Sequence, residues 1–407
     1  MNAGPARALE PFVDASPAGH PASAQSTDWH ILTGEYPPQP GGVADYTRLV
    51  AQGLADAGDR VTVWAPACDG QDEACAGVTV RRLPDHFGSR SLARLGRELD
   101  RASGSRRLLV QYVPHAFGWR AMNVPFCLWL RSRRRDHVWV MFHEVAFPSG
   151  RQYSVAQNAL GLVTRWMASI VGRSAERVFI SIPAWQPVLQ TLVGAGLRTT
   201  WLPVPSTIRQ VADPAGVAAI RSRIAGRHHL VGHVGGYGSF LRPLLDASLP
   251  ALLASTDCRL LLLGRGGDAY RSDLISRHPS FADRVHAPGE LTESDLSRHV
   301  SACDVMLQPY PEGITSRHTS AMLALSHGRP AVTTVGHLSD PMWASSGAIA
   351  AVPAATPDAL APAVSDLLGD PARQRELAAR ARTLYADLFD VSRTVITLRS
   401  TDPACES

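Results

Sequence analysis

Glu312, Gly313, Ser316, Arg317 and Thr319 fall between a short apolar strand, Asp304–Gln308, and a helical run that stops at Gly328. Prolines at 309 and 311 turn the chain out of the strand. In an open α/β sheet such a turn lies at the carboxyl end of a strand, and the following helix aims unpaired N–H groups into the crevice where ligands bind. The N–H groups of Gly313, Ile314, Thr315 and Ser316, with the Arg317 guanidinium and the Ser316 and Thr319 hydroxyls, suit a phosphate or diphosphate. Glu312 is the odd residue. A phosphate repels its carboxylate, so it is better spent on hydroxyls of the group that the phosphate carries, and a sugar fits. Taken in isolation, Glu-Gly-x-Thr-Ser also reads as ordinary helix capping.

Two alternating sets of strands and helices position this segment, and such alternation predicts parallel sheets. The first set opens with Trp29–Thr33 and a loop in which three prolines stiffen the chain and Gly41-Gly42 let the backbone come close to a ligand. A helix from Val43 to about Ala57 ends at Gly58. Arg60–Ala65, Val78–Leu83, Leu108–Val113, Val138–Phe142, Arg177–Ser181 and Thr200–Pro203 read as further strands. His143 follows one of them directly and so falls on the ligand side, although the residues by themselves favour a histidine that merely caps a strand. Residues 205–228 carry the interdomain connection. The second set is His229–Val234, Arg259–Leu263, Val285–His286 and Asp304–Gln308. After its first strand, Gly235-Gly-Tyr-Gly238 offers backbone N–H groups to an anion. His228, His229 and His233 alternate between strand faces without a carboxylate, which argues against a metal site.

These motifs resemble the retaining, metal-independent glycosyltransferases of family 4, which have the α/β GT-B fold: two Rossmann-like parallel-sheet domains facing across a cleft. Pro309, Glu312, Gly313, Gly328 and Pro330-Ala-Val332 fit the family's strand, Pro-x-x-x-Glu-Gly turn and helix. Pro38-x-x-Gly41-Gly42 fits its first loop. The resemblance implies that Glu312 and His143 are catalytic. It also implies that Gly41, Gly42, Gly235, Gly236, Gly238, Gly313, Ile314, Thr315, Ser316 and Arg317 border the donor, and that Ala287 and Leu291 lie near its base. The implied partners are a nucleotide-diphosphate sugar donor, carrying a hexose-like sugar, and an acceptor that is a glycan, a lipid-linked molecule or a small molecule. No cofactor is implied. Two departures stand out: Ser320 replaces a second glutamate that holds the ribose, and His233 and Gly238 replace two cations that grip the diphosphate. Arg317, with Arg242 as a second candidate, is left to supply the positive charge. A sugar-nucleotide epimerase and a GT-B pseudoenzyme or partner subunit remain as alternatives.

The implied domains are residues 28–205 on the acceptor side, 206–385 for the nucleotide sugar, and 386–407 as a helix that returns to the first domain after a break near Asp390. Residues 1–27, rich in Ala, Pro, Ser and Gly, read as a disordered tail. With 407 residues, 45% of them hydrophobic, two packed domains are expected. A net charge of +4 is too mild to imply nucleic acid. All 40 basic residues are arginine, which excludes phosphate-loop and Schiff-base lysine chemistry. The six cysteines lack a Cys-x-x-Cys pair and read as reduced, which suits a cytoplasmic protein. No segment reaches the ~18 apolar residues that a spanning helix needs. The run Leu128–Arg135 places four arginines beside Trp129 and Phe126. It reads as a solvated helix end or as a peripheral contact with the inner face of a membrane.

Overall fold

The computed structural model describes residues 26–70, 75–101 and 106–400; the tail expected over residues 1–27 lies outside these except for Ser26 and Thr27. The first sheet contains β1 (Asp28–Thr33), β2 (Arg60–Pro66), β3 (Val78–Leu83), β4 (Arg106–Tyr112), β5 (His137–Phe142), β6 (Arg177–Ile180) and β7 (Thr200–Trp201). All its pairings are parallel, in the order β3-β2-β1-β4-β5-β6-β7. Its central strands are apolar on both faces because helices cover both. One face packs Leu95, Leu108, Phe126, Phe142 and Val171, and the other packs Trp29, Ile31, Tyr46, Met141 and Phe179.

The second sheet comprises β8 (His229–Val234), β9 (Cys258–Leu263), β10 (Val285–His286), β11 (Val305–Gln308), β12 (Ala331–Val335) and β13 (Ala350–Pro353). It is likewise parallel, in the order β10-β9-β8-β11-β12-β13. The first four of these strands are legible in the sequence. The strands β12 and β13 extend the sheet beyond them. The two sheets with their helices form two Rossmann-like units, the GT-B architecture.

Asp390 ends the helical stretch before it, and its carboxylate accepts the Ser392 N–H at 2.9 Å to start the last helix, Val391–Arg399. That helix packs on the first unit: Val395 and Leu398 join the core of Trp29 and Tyr46, and Arg399 pairs with the buried Asp59 at 3.1 Å. The approach is close enough that a Cβ on Gly53 would come within 2.7 Å of Val395, so the small residue permits the crossing.

One element differs from the sequence reading. The helix expected to follow Glu312-Gly313 begins only at Thr319 and runs to Ser326, with Gly328 in the left-handed conformation just beyond it (φ +58°). Gly313 sits at φ +90°, and a Cβ there would lie 2.2 Å from the Gly336 nitrogen, so residues 312–318 form a tight loop braced against the strand end of β12.

Candidate active site

The two units face each other across the carboxyl ends of their strands, and the halves are joined beside the cleft. The Ser316 hydroxyl donates to the Ser181 carbonyl at 2.8 Å and accepts the Trp201 indole N–H at 3.1 Å, while the Val204 N–H donates to the Ser316 carbonyl at 2.9 Å. A cavity of about 420 Å³ opens here. Glu35, Gly41, Gly42, His115, His143 and Glu144 line it from the first unit, and Arg317, His318 and Thr319 from the second. A second cavity of about 300 Å³ is bounded by Gly236, Gly238, Phe240, Tyr310, Glu312, Gly313 and His318. His318 borders both, so Glu312 and His143 lie on two chambers of one cleft.

On the first wall, His143 follows β5 and is buried edge-on against the Tyr46 ring at 4.9 Å. Its Nε2 lies 2.8 Å from Gln111 Oε1, which only accepts, so Nε2 carries the ring proton and Nδ1 is left as an acceptor. Burial, with the Arg317 guanidinium nearby, pushes its pKa down to about 3, so the ring is neutral. The His143 carbonyl is taken by the Ser181 hydroxyl and the Trp185 indole. The Gly41-Gly42 loop holds a surprise: Glu35 Oε1 accepts the N–H groups of Val43 and Ala44, each at 3.0 Å, and so caps the helix Gly42–Asp56 from within. A Cβ on Gly41 would strike that carboxylate at 2.2 Å, so Gly41 makes room for Glu35, whereas Gly42 has open space beside it.

On the second wall the loop after Glu312 spends its amides internally. Gly313 donates to Tyr310 O at 3.0 Å, Ile314 to Thr334 O at 2.7 Å, Thr315 to His318 Nδ1 at 3.0 Å, and Ser316 to Asp340 Oδ2 at 2.6 Å. Ile314, Thr315 and Ser316 are buried, and none of these amides is free for an anion. Of the first amides of the helix Thr319–Ser326, those of Ala321 and Met322 donate to His318 O, and those of Thr319 and Ser320 have no acceptor among the described residues. Because His318 Nδ1 accepts an amide N–H, its proton sits on Nε2, which has no protein acceptor among the described residues. Burial, with Arg317 adjacent, lowers its pKa to about 3, and its ring lies flat on Tyr310 at 3.8 Å with planes 2° apart. The Tyr310 hydroxyl in turn lies 2.8 Å from the Ser320 hydroxyl. Asp340, which anchors the loop, is raised by burial to about 6.

The other expected residues divide. Gly236 and Gly238 line the Glu312 chamber, whereas the Gly235 N–H is spent on Leu263 O at 3.1 Å. Arg317 reaches the His143 chamber already paired with Glu144 at 3.3 Å and lying over the Trp185 ring. Arg242 is held by Asp246 on its own helix and by Asp273 on the next, and stacks on Tyr270, so it is committed to the contact between those two helices. Ala287 and Leu291 pack at the edges of apolar cores. Four titratable lining residues received no role from the sequence: Glu35, His115, Glu144 and His318. His318 stood inside the motif and Glu35 beside the prolines, but nothing in their spacing separates them from turn residues.

Residues 229–370 match the family model described as glycosyl transferases group 1. No curated protein matches the chain. Among solved structures it is similar to sucrose-phosphate synthase from Thermosynechococcus elongatus, with TM-score 0.71 and 19% identity over 91% of this chain and 97% of the other. It is also similar to Anabaena HepE in complex with UDP and glucose (TM-score 0.67, 17% identity, 91% and 98% covered). A third is WaaG, a glycosyltransferase of lipopolysaccharide biosynthesis (TM-score 0.65, 15% identity, 91% and 98% covered). At these identities the structures speak for the GT-B fold, and the family match adds support for a group 1 glycosyltransferase.

Proposed function

We propose that this protein transfers a hexose-like sugar from a nucleotide-diphosphate donor to an acceptor hydroxyl with retention at the anomeric carbon. The observation that carries the reading is the placement of Glu312 and His143 on chambers that share His318, one residue from each half of the molecule. The group 1 family match and the UDP and glucose bound by HepE support it, and they make uridine diphosphate sugars the first donors to test.

Breaking the sugar–phosphate bond puts positive charge on the ring and negative charge on the departing diphosphate. In this reading the Thr319 and Ser320 amides, the His318 Nε2–H and Arg317 meet the diphosphate, fixed in place before the bond breaks. Glu312 holds sugar hydroxyls. His143, neutral and unable to act as an acid near pH 7, offers Nδ1 to a donor hydroxyl on the reacting face. The acceptor enters from the Glu35 and Glu144 side, approaches the face that the diphosphate leaves, and passes its proton to a departing phosphate oxygen.

Calorimetry with a panel of nucleoside diphosphates, followed by donor-hydrolysis assays and anomeric analysis of the product, tests the proposal. Absence of binding by every nucleotide indicates a scaffold subunit. Rearranged donor without an acceptor requirement indicates an epimerase, and an inverted product removes retention.

A further inference from the structure

The helices Val124–Ser132 and Val155–Ser174 pack side by side on the outer face of the first unit, and their outward sides are not those of an ordinary solvated surface. Along the second helix Val155, Ala159, Leu162 and Trp166 fall on one stripe at helical spacing, continued by Ser169 and Arg173. Val155, Leu162 and Trp166 are 87%, 71% and 55% exposed. Leu128 on the neighbouring helix and Trp119 and Met122 just before it are exposed as well, so six of the nine large exposed hydrophobic residues among the described residues lie between Trp119 and Trp166. Isolated surface apolar residues need no explanation, but a concentration of this kind marks a contact face.

Charge decides what the contact is with. Residues 119–173 contain eight arginines against one aspartate and one glutamate, in a chain whose net charge is only +4, so the remainder of the molecule is slightly acidic. The aspartate, Asp136, is buried and bound by Arg106 and Arg133, and the glutamate, Glu144, pairs with Arg317 in the cleft. Arg131, Arg134 and Arg135 are exposed and form no ion pair among the described residues. Arg131, Arg133, Arg134 and Arg173 line a groove of about 850 Å³ into which Trp166 also faces; its acidic residues are spoken for, Glu176 by His137 and Asp136 by Arg106 and Arg133, and Arg133 also pairs with Asp100 at its edge.

We propose that this face docks on an anionic lipid bilayer: the apolar stripe enters the headgroup boundary with Trp166 at the interface, and the guanidinium groups meet lipid phosphates. The face adjoins the cleft. Phe147, whose N–H is held by Thr164 of the striped helix at 3.2 Å, lies 6.2 Å ring to ring from His115 of the His143 chamber. No helix among the described residues is long and apolar enough to cross a membrane, so docking is peripheral.

Co-sedimentation of the full chain with vesicles of phosphatidylcholine, alone or with about one third phosphatidylglycerol, tests this without reference to catalysis. Binding to the anionic vesicles is expected, falling at high salt as the attraction is screened. Arg131→Gln with Arg134→Gln should weaken it by an order of magnitude or more, at about fivefold for each arginine removed. Leu162→Ser with Trp166→Ser should weaken it comparably, while Arg373→Gln with Arg375→Gln, on a remote exposed helix, should leave it unchanged. All positions are on the surface, and unaltered melting temperatures verify folding. Equal binding to neutral vesicles, binding indifferent to the paired substitutions, or no vesicle binding by the intact protein overturns the proposal. That last result is what a soluble protein partner on this face would give.

Discussion

Arg317 and Glu144 meet across the cleft at 3.3 Å, one from each half of the molecule, with the guanidinium over the Trp185 ring. The cation available to a diphosphate in the His143 chamber therefore has a competitor already in place. Arg317→Ala should weaken nucleoside diphosphate binding by tenfold or more, in line with the ~1.5–3 kcal/mol of a hydrogen bond to a charged group, and should barely affect the nucleoside. Glu144→Gln, which releases the guanidinium, should shift diphosphate affinity the other way, by about threefold. Isothermal titration with both ligands checks the pair; equal losses for nucleoside and diphosphate in Arg317→Ala would remove this arginine from the phosphate site.

Glu312 borders the chamber of Gly236, Gly238 and Tyr310, and its proposed partners are sugar hydroxyls and not phosphate. Glu312→Ala should cut kcat by about a hundredfold and leave nucleotide affinity within about tenfold, because the carboxylate acts on the reacting sugar and not on the nucleotide. A kinetic comparison with the binding isotherm distinguishes the two. Unaltered turnover would contradict the assignment.

Most of both sheets was legible because strand-and-helix alternation and turn glycines are local signals, whereas the cleft and the final crossing helix were implied by the family resemblance. The wiring of the loop after Glu312 was not. Its amides look free in the sequence, yet they close onto Thr334, His318 and Asp340, partners reached only through the fold. Glu35 was hidden for the same reason, since a carboxylate that caps a helix seven residues downstream has no periodic signature. Arg242 looked free although Asp246, four residues on, was in view; its second partner, Asp273 on another helix, is distant in sequence.

Ser320, at the position where a second glutamate was expected, joins the Tyr310 hydroxyl at 2.8 Å, and the Tyr310 ring backs His318. The serine thus belongs to a support for the His318 ring. His318→Ala should lower kcat by ten- to a hundredfold through loss of the Nε2–H donor. Tyr310→Phe keeps the stack and should cost about 1 kcal/mol of stability with little change in kcat. Steady-state rates and melting curves on the two variants separate the donor from its support; a larger kcat loss for Tyr310→Phe than for His318→Ala would reverse the roles.

Four histidines kept neutral by the fold shape the pH response: His143, His233 and His327 are buried, and His318 is half-buried on the cleft wall. Burial, with Arg317 nearby, holds His143 and His318 down to about 3, and burial holds His233 and His327 down to about 4. Each stays neutral when folded but gains a proton near pH 6.5 when unfolded, so its contribution is full above that value and is lost as pH falls toward 3–4. At pH 5 the loss is about 2 kcal/mol per histidine. Asp340 acts in the opposite sense: burial raises it to about 6, so its folded form favours the proton and its penalty eases as pH falls below that value. One carboxyl recovers only about 1 kcal/mol over the same interval, so the histidines prevail. Melting temperature should fall by several degrees between pH 7.5 and pH 5. The fall should be smaller in His327→Gln, whose side chain keeps a polar group near the Ser297 hydroxyl 2.8 Å from His327 Nε2 but does not titrate. A flat profile across that range would mean that these rings are hydrated and free to charge in the native protein.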